Sequence, residues 1–446
     1  MARVRNPRQL AVLTLNELEK TEDFLGEVLD SHLRHSALSG LDQGLYTELV
    51  YGTVRMRRNL DYVLASFSSR PLSKIKPAVL NVLRSAVYQI LYLDRVPARA
   101  AVHEAVNLAR LFGHEGVARF VNGVLRQVIR QGETIAYPDP ESDLVQHLGV
   151  KYSFPDWIVG HWLNWLGKEE TAALCQALNE PPKMHIRINT LRYSKEEVHS
   201  YLAGQGMSVS PGRYAPDVLE VGPAHLVISD PALEAGMYYV QDESSALAAH
   251  ALQAVPGQAV YDLCSAPGGK ATHLAQLMGN QGKITAFDIS PARLKLVDKN
   301  ARRLGVTIIE TKPGDAAQNL KLPPVPRVLV DAPCSGLGTM GHRPDIRWRK
   351  GPGDVRELAA LQRQILQAAA DYVAPGGLLL YSTCTLTRDE NQAAAEWFLA
   401  NHRDFQGFSF PDWFPLSDEP AWIKSIFPHR HGLDGFFLAI FRKYRV

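Results

Sequence analysis

The sequence predicts a multidomain chain: an all-α bundle, then a small α+β linker domain, then a C-terminal α/β doubly wound domain. Three observations predict this. Apolar residues recur at three- and four-residue steps from about residue 7 to 130, the period of helices that bury one face. Residues 184–189 switch to two-residue alternation, the period of a half-buried strand. From Tyr239 onward short apolar runs alternate with helix-length segments, as in a parallel sheet with crossover helices. A length of 446 residues also exceeds one ordinary core, since about 150 residues per domain gives roughly three domains.

In the first segment Val79, Leu83, Val87 and Ile90 form one stripe, Val102, Ala105, Val106 and Ala109 a second, and Val121, Val124, Leu125 and Val128 a third. Gln131-Gly132 and Tyr137-Pro138-Asp139-Pro140 end the bundle, because Gly and Pro do not continue a helix. A domain over 1–135 is expected. The linker domain, 141–236, opens with short helices over 157–166 and 169–178. After Pro181-Pro182 come a strand over 184–189, a helix begun by the capping box Ser194-Lys195-Glu196-Glu197 and running to Leu202, and a strand over 218–221. The third domain, 237–446, is expected to place strands at 259–263, 283–288, 306–311, 328–331, 378–383 and 436–441. Its helices are expected at 270–278, 291–304, 355–373 and 389–400.

Composition is that of a globular protein, with 46% hydrophobic and 21% charged residues, which excludes extended disorder. Basic residues 1–9 lead into an amphipathic stretch over 10–29, not a continuous apolar run, which argues against a signal peptide or membrane span and for a cytoplasmic protein. The four cysteines, Cys175, Cys264, Cys334 and Cys384, include no CxxC pair, so no metal is expected and free thiols are. Net charge is +2, but residues 1–135 hold 18 Lys and Arg against 13 Asp and Glu. That basic excess fits either a solvated surface or contact with a phosphate backbone. A monomer with no membrane association is expected.

The chemistry is concentrated in the third domain. Tyr261-Asp262-Leu263-Cys264-Ser265-Ala266-Pro267-Gly268-Gly269-Lys270 is a strand entering a glycine turn that opens a helix. It matches neither the GxxxxGK[ST] phosphate loop nor the dinucleotide GxGxxG. Asp288 ends the next strand, where a carboxylate accepts hydrogen bonds from ribose hydroxyls, and Asp315 follows the third strand, where it meets an adenine amino group. One turn with two downstream acids predicts an S-adenosyl-L-methionine pocket. The plainer alternatives are that Asp288 caps the helix at 291 and Asp315 fills a turn with Pro313-Gly314. Cys334 follows Val328-Leu329-Val330 and Cys384 follows Leu378-Leu379-Leu380, so both thiols are expected at the carboxyl ends of buried parallel strands, where open α/β sheets hold ligands. Buried packing is the alternative for any free thiol, and it is the expected role of Cys175 in the core and of Cys264 behind the turn.

The motifs Asp331-Ala332-Pro333-Cys334-Ser335-Gly336, Arg343-Pro344-Asp345-Ile346-Arg347-Trp348, Tyr381-Ser382-Thr383-Cys384 and Asp434-Gly435-Phe436-Phe437 resemble those of the RNA cytosine-5 methyltransferases, closest to the bacterial small-subunit (16S) ribosomal RNA branch of Sun or Fmu proteins. The helical segment is similar to the antitermination factor NusB over Ala100-Ala101-Val102-His103-Glu104-Ala105-Val106 and Val121-Asn122-Gly123-Val124-Leu125-Arg126. The resemblance implies a NusB-like RNA-binding bundle and a Rossmann-like methyltransferase domain acting on small-subunit ribosomal RNA with S-adenosyl-L-methionine as cofactor. It implies Cys384 as nucleophile on carbon 6 of cytosine and Cys334 as the thiol that promotes release, although Cys334 is the attacker in the DNA enzymes. It gives Asp331 to the base and Lys270 to orienting nucleophile and base. It implies a cofactor site of Cys264, Ser265, Ala266, Pro267, Gly268, Gly269 and Lys270, with Asp288, Arg293, Asp315 and Asp331. Arg343, Asp345, Arg347 and Trp348 suit phosphate contact and base stacking, or else form an ordinary interdomain salt-bridge loop. Other readings are the same chemistry on another ribosomal or transfer RNA cytosine, or a non-catalytic RNA-binding assembly factor.

Overall fold

The computed structural model describes residues 4–414, 416 and 420–444. They form two compact units: the described residues up to Asn179 together with His342–Arg349, and residues 180–341 together with 350–444.

The first unit is all α. Its helices are α1 (Pro7–Leu18), α2 (Leu25–Arg34), α3 (Gly40–Arg55), α4 (Arg57–Phe67), α5 (Pro77–Tyr92), α6 (Ala98–Phe112), α7 (Glu115–Gln131), α8 (Leu144–Lys151), α9 (Asp156–Leu166) and α10 (Lys168–Ala177). Asn6 starts α1 by accepting from the amides of Arg8 and Gln9, groups a helix start otherwise leaves unpaired. Helix α5 is the axis of the bundle: every residue from Asn81 to Gln89 is buried, so its polar members need internal partners. Arg84 finds Asp61 on α4 at 2.7 Å and Glu19 at 3.1 Å. Leu49, Val50, Leu83, Val87 and Leu125 pack around this axis.

The segment His342–Arg349 belongs to this helical unit. Its residues Arg343, Asp345, Arg347 and Trp348 suit either RNA contact or a salt-bridge loop, and the contacts of Asp345 and Arg347 favour the second, with Arg349 Nε 3.1 Å from Asp345 Oδ2. Arg347 is fully buried, donates to the carbonyls of Arg55 and Ser153 and to Asn179 Oδ1, and lies 4.0 Å from the Phe154 ring centroid. Trp348 Nε1 donates to the Val54 carbonyl at 2.8 Å, and Asp345 accepts from the Leu25 amide. Arginine and indole are as suited to capping backbone carbonyls as to gripping a nucleotide; burial decides for the first at Arg347, while Trp348 is half-buried. Only Arg343 stays exposed.

The second unit holds two sheets. The smaller, of β1 (Met184–Ile188), β2 (Ser208–Pro211), β3 (Val218–Gly222) and β4 (Tyr238–Val240), is antiparallel throughout in the order β2-β3-β1-β4. The larger is built from β5 (Ala259–Asp262), β6 (Lys283–Asp288), β7 (Ile309–Pro313), β8 (Val325–Asp331), β9 (Val373–Thr383), β10 (Phe405–Gly407), β11 (Ile423–Ile426) and β12 (Phe436–Lys443). Its order is β10-β12-β9-β8-β5-β6-β7, with β11 on β12. Strands β5 to β9 are mutually parallel, and the order reverses between β5 and β8, the position at which doubly wound sheets open a crevice.

Two expectations shift. Strand β7 begins at Ile309, not 306, because Gly305 (φ +72°) ends the preceding helix and Val306 donates back to the Ala301 carbonyl. The final strand is antiparallel to β9, since it arrives through a hairpin from β11, which makes the sheet mixed. Among the described residues no helix is long and apolar enough to cross a membrane.

Candidate active site

Three neighbouring strands, β8, β5 and β6, each end on an aspartate: Asp331, Asp262 and Asp288. A carboxylate at the end of an apolar buried strand lies where the sheet stops and a ligand begins. The turn after β5 supplies the cradle. Gly268 adopts φ +96°, and a Cβ there would press on Val297 at 3.0 Å. The helix Gly269–Leu277 opens toward the turn, and β1 holds it from the small sheet: Arg187, fully buried, donates to the Gly269 carbonyl at 2.5 Å and to Thr272 Oγ1 at 3.0 Å. Ser265 donates its amide to the Phe287 carbonyl, joining the turn to β6.

Asp288 is buried and its Oδ1 takes the Ser290 amide, while Arg293 sits 3.3 Å from its Oδ2 and donates to the Ala266 carbonyl at 2.7 Å. Asp315 takes the Ala317 amide and the Gln318 side chain. Asp315 therefore makes the turn bonds of its plainer alternative, whereas the helix at 291 is capped by Ser290 and not by Asp288, and Arg293 ties the two sides of the cradle together. Cys264, half-buried, is the thiol behind the turn, and burial pushes its pKa well up.

Asp262 is the residue sequence reasoning passed over. It is buried, with only the Ser265 hydroxyl and the Cys264 amide close by to oppose the cost of charging it, and it enters no ion pair among the described residues. Burial, reinforced by the Asp331 charge, pushes its carboxyl up to about 7. An unpaired buried carboxyl is costly unless a ligand completes it. The sequence signal was available: an aspartate closing the apolar strand Val260–Asp262.

The two thiols meet. Cys334 Sγ and Cys384 Sγ are 3.4 Å apart, both half-buried, on the loops after β8 and β9. Lys270 Nζ lies 2.6 Å from Asp331 Oδ2, and Ser382 Oγ donates to Asp331 Oδ1 at 2.8 Å. Burial lowers the Lys270 pKa, but the Asp331 charge and hydrogen bond and the Cys384 charge outweigh it and leave it raised, so the ammonium persists. Cys334 is pushed well up by its hydrogen bond with Cys384, by burial and by the charges of Cys384 and Glu390. Cys384 lies in the field of the Lys270 ammonium, and Cys334 in that of the Glu390 carboxylate.

Glu390 and Asn391 were read only as the start of a helix. That helix runs Gln392–Asn401, and the two residues before it turn inward. Glu390 is fully buried and accepts from the Ser335 amide (2.8 Å), Ser335 Oγ (2.5 Å), Thr387 Oγ1 (2.8 Å) and Gln362 Nε2 (3.1 Å). Asn391 takes Thr383 Oγ1 and donates to the Thr385 carbonyl, bracketing Cys384. Gly338 donates to the Cys384 carbonyl and accepts from the Gly435 amide; a Cβ on Gly338 would collide with the Gly435 carbonyl. This close approach gives the Asp434-Gly435-Phe436-Phe437 motif its glycine.

The family model described as 16S rRNA methyltransferase RsmB/F matches residues 249–442, the NusB family model matches 5–130, and the ferredoxin-like domain of RsmF/B-like methyltransferases matches 154–226. The probable ribosomal RNA small subunit methyltransferase B of Bacillus subtilis is 38% identical over 98% of both chains, and that of Synechocystis is 39% identical over 98% of this chain and 99% of its own. Among solved structures, PH0851 superposes with a TM-score of 0.82 at 29% identity, covering 99% of this chain and all of that one. Identity of this extent across bundle, linker and catalytic domain leaves one assignment: the chain belongs to the ribosomal RNA small subunit methyltransferase B family.

Proposed function

We propose that this protein methylates carbon 5 of a cytosine in small-subunit ribosomal RNA, through a covalent bond between Cys384 and carbon 6 of the base. The observation that carries the reading is the thiol pair at 3.4 Å with Lys270 and Asp331 beside it, at the reversal point of the sheet. A methyltransferase acting on oxygen or on an exocyclic amine has no use for two adjacent thiols. Carbon 5 of cytosine does: it is a poor nucleophile until a thiolate adds to carbon 6.

S-adenosyl-L-methionine would supply the electrophilic methyl group. The residues fit it: the Gly268-Gly269 turn admits close backbone approach, Asp288 at the end of β6 would accept from ribose hydroxyls, Asp315 after β7 would accept from the adenine amino group, and the buried Asp262 would offer a carboxylate to a cationic group. Cys264 to Lys270 would line the cofactor and Arg293 would brace the turn.

The chain's own residues perform the rest. The Cys384 thiolate, in the field of the Lys270 ammonium, forms a bond to carbon 6, and the electron pair displaced onto carbon 5 takes the methyl group. Asp331 accepts a hydrogen bond from the cytosine edge while Lys270 fixes its carboxylate. The proton on carbon 5 then leaves to a base, its bonding pair restores the ring double bond, and the carbon–sulfur bond breaks to return the thiolate. Cys334 promotes that release. The Lys270 charge near Cys384 supports this division, because it favours a thiolate there.

The test is a denaturing gel of wild type, Cys334→Ala and Cys384→Ala incubated with unmethylated small-subunit ribosomal RNA transcript and S-adenosyl-L-methionine. Cys334→Ala should trap a protein–RNA adduct, and Cys384→Ala should be inactive and form none. The opposite pattern makes Cys334 the nucleophile; no adduct and no methylation with any variant removes the proposed chemistry.

A further inference from the structure

We infer that the Cys334–Cys384 pair is also a site of reversible oxidation by hydroperoxides, at which Cys334 resolves an oxidised Cys384 into a disulfide. The oxidation stands on the geometry of the thiols; its consequence for turnover rests on the reading that Cys384 is the nucleophile.

A disulfide needs two sulfurs that can close to about 2.05 Å. Here they already lie 3.4 Å apart and share a hydrogen bond, although 50 residues separate them in sequence. They are held together from behind. Ser335 Oγ meets Thr385 Oγ1 at 2.6 Å, and both hydroxyls reach Glu390 Oε2, so the residue that follows each thiol is tied to the loop of the other. The remaining approach of about 1.4 Å is small enough for side-chain rotation with the bracket in place.

The four cysteines differ in what an oxidant can make of them. Cys175 is fully buried, and burial pushes its thiol up to about 12. Cys264 is half-buried, but burial and the charges of Asp262, Asp331 and Asp288 push it well up. Cys334 and Cys384 are both half-buried, within reach of a molecule as small as hydrogen peroxide, and among the described residues no other two sulfurs lie within hydrogen-bond distance. The Lys270 ammonium favours a thiolate on Cys384, the form that attacks a peroxide.

The Cys384 sulfur attacks the O–O bond. A sulfur–oxygen bond forms, the O–O bond breaks, and the leaving oxygen takes up a proton and departs as water, or as an alcohol from an organic hydroperoxide. Cys384 is then a sulfenic acid, and the peroxide has gained the two electrons that the sulfur lost. The Cys334 sulfur next attacks the Cys384 sulfur; the S–S bond forms, the S–O bond breaks, and the hydroxyl leaves as water with the Cys334 proton. Two thiols and one hydroperoxide thus yield a disulfide, a water, and a second water or the alcohol. An added dithiol returns both hydrogens by two exchange steps. The bridge withdraws the nucleophile and keeps Cys384 from the sulfinic acid, which thiols do not reverse.

The experiment exposes the full chain and its Cys334→Ala variant to hydrogen peroxide, quenches with catalase, and divides each sample with and without dithiothreitol. Thiols are titrated after denaturation, peptides are mapped by mass spectrometry without reduction, and methylation of unmethylated small-subunit ribosomal RNA transcript is followed. In wild type the titratable thiols should fall from four to two, the peptides carrying Cys334 and Cys384 should be joined, and methylation should be lost. Dithiothreitol should restore all three. In Cys334→Ala, Cys384 should proceed to the sulfinic acid and stay there. Wild type without joined peptides, or a Cys334→Ala variant whose Cys384 is recovered as fully as in wild type, overturns the inference and leaves the proposed function standing. A bridged protein that methylates at the unoxidised rate, or a reduced wild type that never methylates, overturns the proposed function and leaves the oxidation site standing.

Discussion

Replacing Glu390 by glutamine tests whether the geometry of the thiol pair is set from behind. The carboxylate is fully buried and its oxygens accept from the Ser335 amide and hydroxyl, from Thr387 and from Gln362. Ser335 follows Cys334 directly, and Ser335 Oγ also meets Thr385, the residue after Cys384, at 2.6 Å. One carboxylate thus fixes the residue behind each thiol. Glutamine keeps the volume but turns one acceptor into a donor that faces other donors. At least one buried group then goes unmatched, at a cost of about 1–3 kcal/mol. If that cost is taken as displaced loops, and each 1.4 kcal/mol is a factor of ten, the methylation rate should fall roughly 10- to 100-fold. Glu390 lies away from the cofactor cradle, so affinity for S-adenosyl-L-methionine should stay within a factor of about two. Single-turnover methylation, calorimetry and the rate of thiol alkylation against pH would be measured on the same preparation. The alkylation profile should shift, since removing a negative charge near Cys334 lowers its thiol pKa. A folded variant with wild-type turnover and alkylation would refute the reasoning, and a parallel loss of cofactor binding would show a merely structural role.

Three further outcomes are expected. Asp262, raised to about 7 by burial, must ionise to receive a cationic cofactor group, so affinity for S-adenosyl-L-methionine should increase as pH rises from 6 to 8. Asp262→Asn should weaken binding about tenfold and flatten that profile; a variant with the wild-type profile would move the titration elsewhere. Gly338→Ala should cost about 1–3 kcal/mol of overpacking and displace the Cys384 backbone. Calorimetry should find cofactor binding intact while methylation drops at least tenfold, and full activity would show that the loops tolerate the shift. Asp217 accepts from His250 at 2.9 Å and His273 at 2.6 Å, and burial holds His273 down to about 4. The unfolded chain takes up that proton first, so stability is complete above about pH 6.5 and falls toward pH 4, by about 3 kcal/mol at most. Thermal melts at pH 7 and pH 4.5 should therefore diverge in wild type more than in His273→Gln; equal divergence would place the acid sensitivity in other groups.

What the sequence disclosed and what it withheld follow from the same physics. Central strands announce themselves as apolar runs, so the ends of β8 and β9, and with them Cys334 and Cys384, were placed from Val328-Leu329-Val330 and Leu378-Leu379-Leu380 alone. The helix Glu243–Ala251 was missed because its alanines are buried on all sides, which erases the amphipathic contrast that marks a helix. Strands β10 and β11, of three and four residues, are too short to show a period. Strand direction is set by the connection, so the antiparallel β12 was not legible in its own residues. Glu390 was hidden for a different reason: an acid next to a helix start has an ordinary explanation as a cap, and only three dimensions show it turned inward. Arg347 and Trp348 left two readings open, since their composition is the same whether they face a nucleotide or a row of carbonyls.

The eight residues His342–Arg349 carry a consequence for how such a chain can be cut and inherited. They are encoded within the catalytic half, yet they fold as part of the helical unit, so the backbone passes from one unit to the other three times. A fragment ending at residue 179 would lack the guanidinium that caps the carbonyls of Arg55 and Ser153, and a fragment starting at 180 would carry that guanidinium with its acceptors removed. Neither half is a clean module. Recombination that exchanged the N-terminal bundle between relatives would have to bring this short downstream stretch with it, which ties the descent of the helices to that of the loop that follows Cys334.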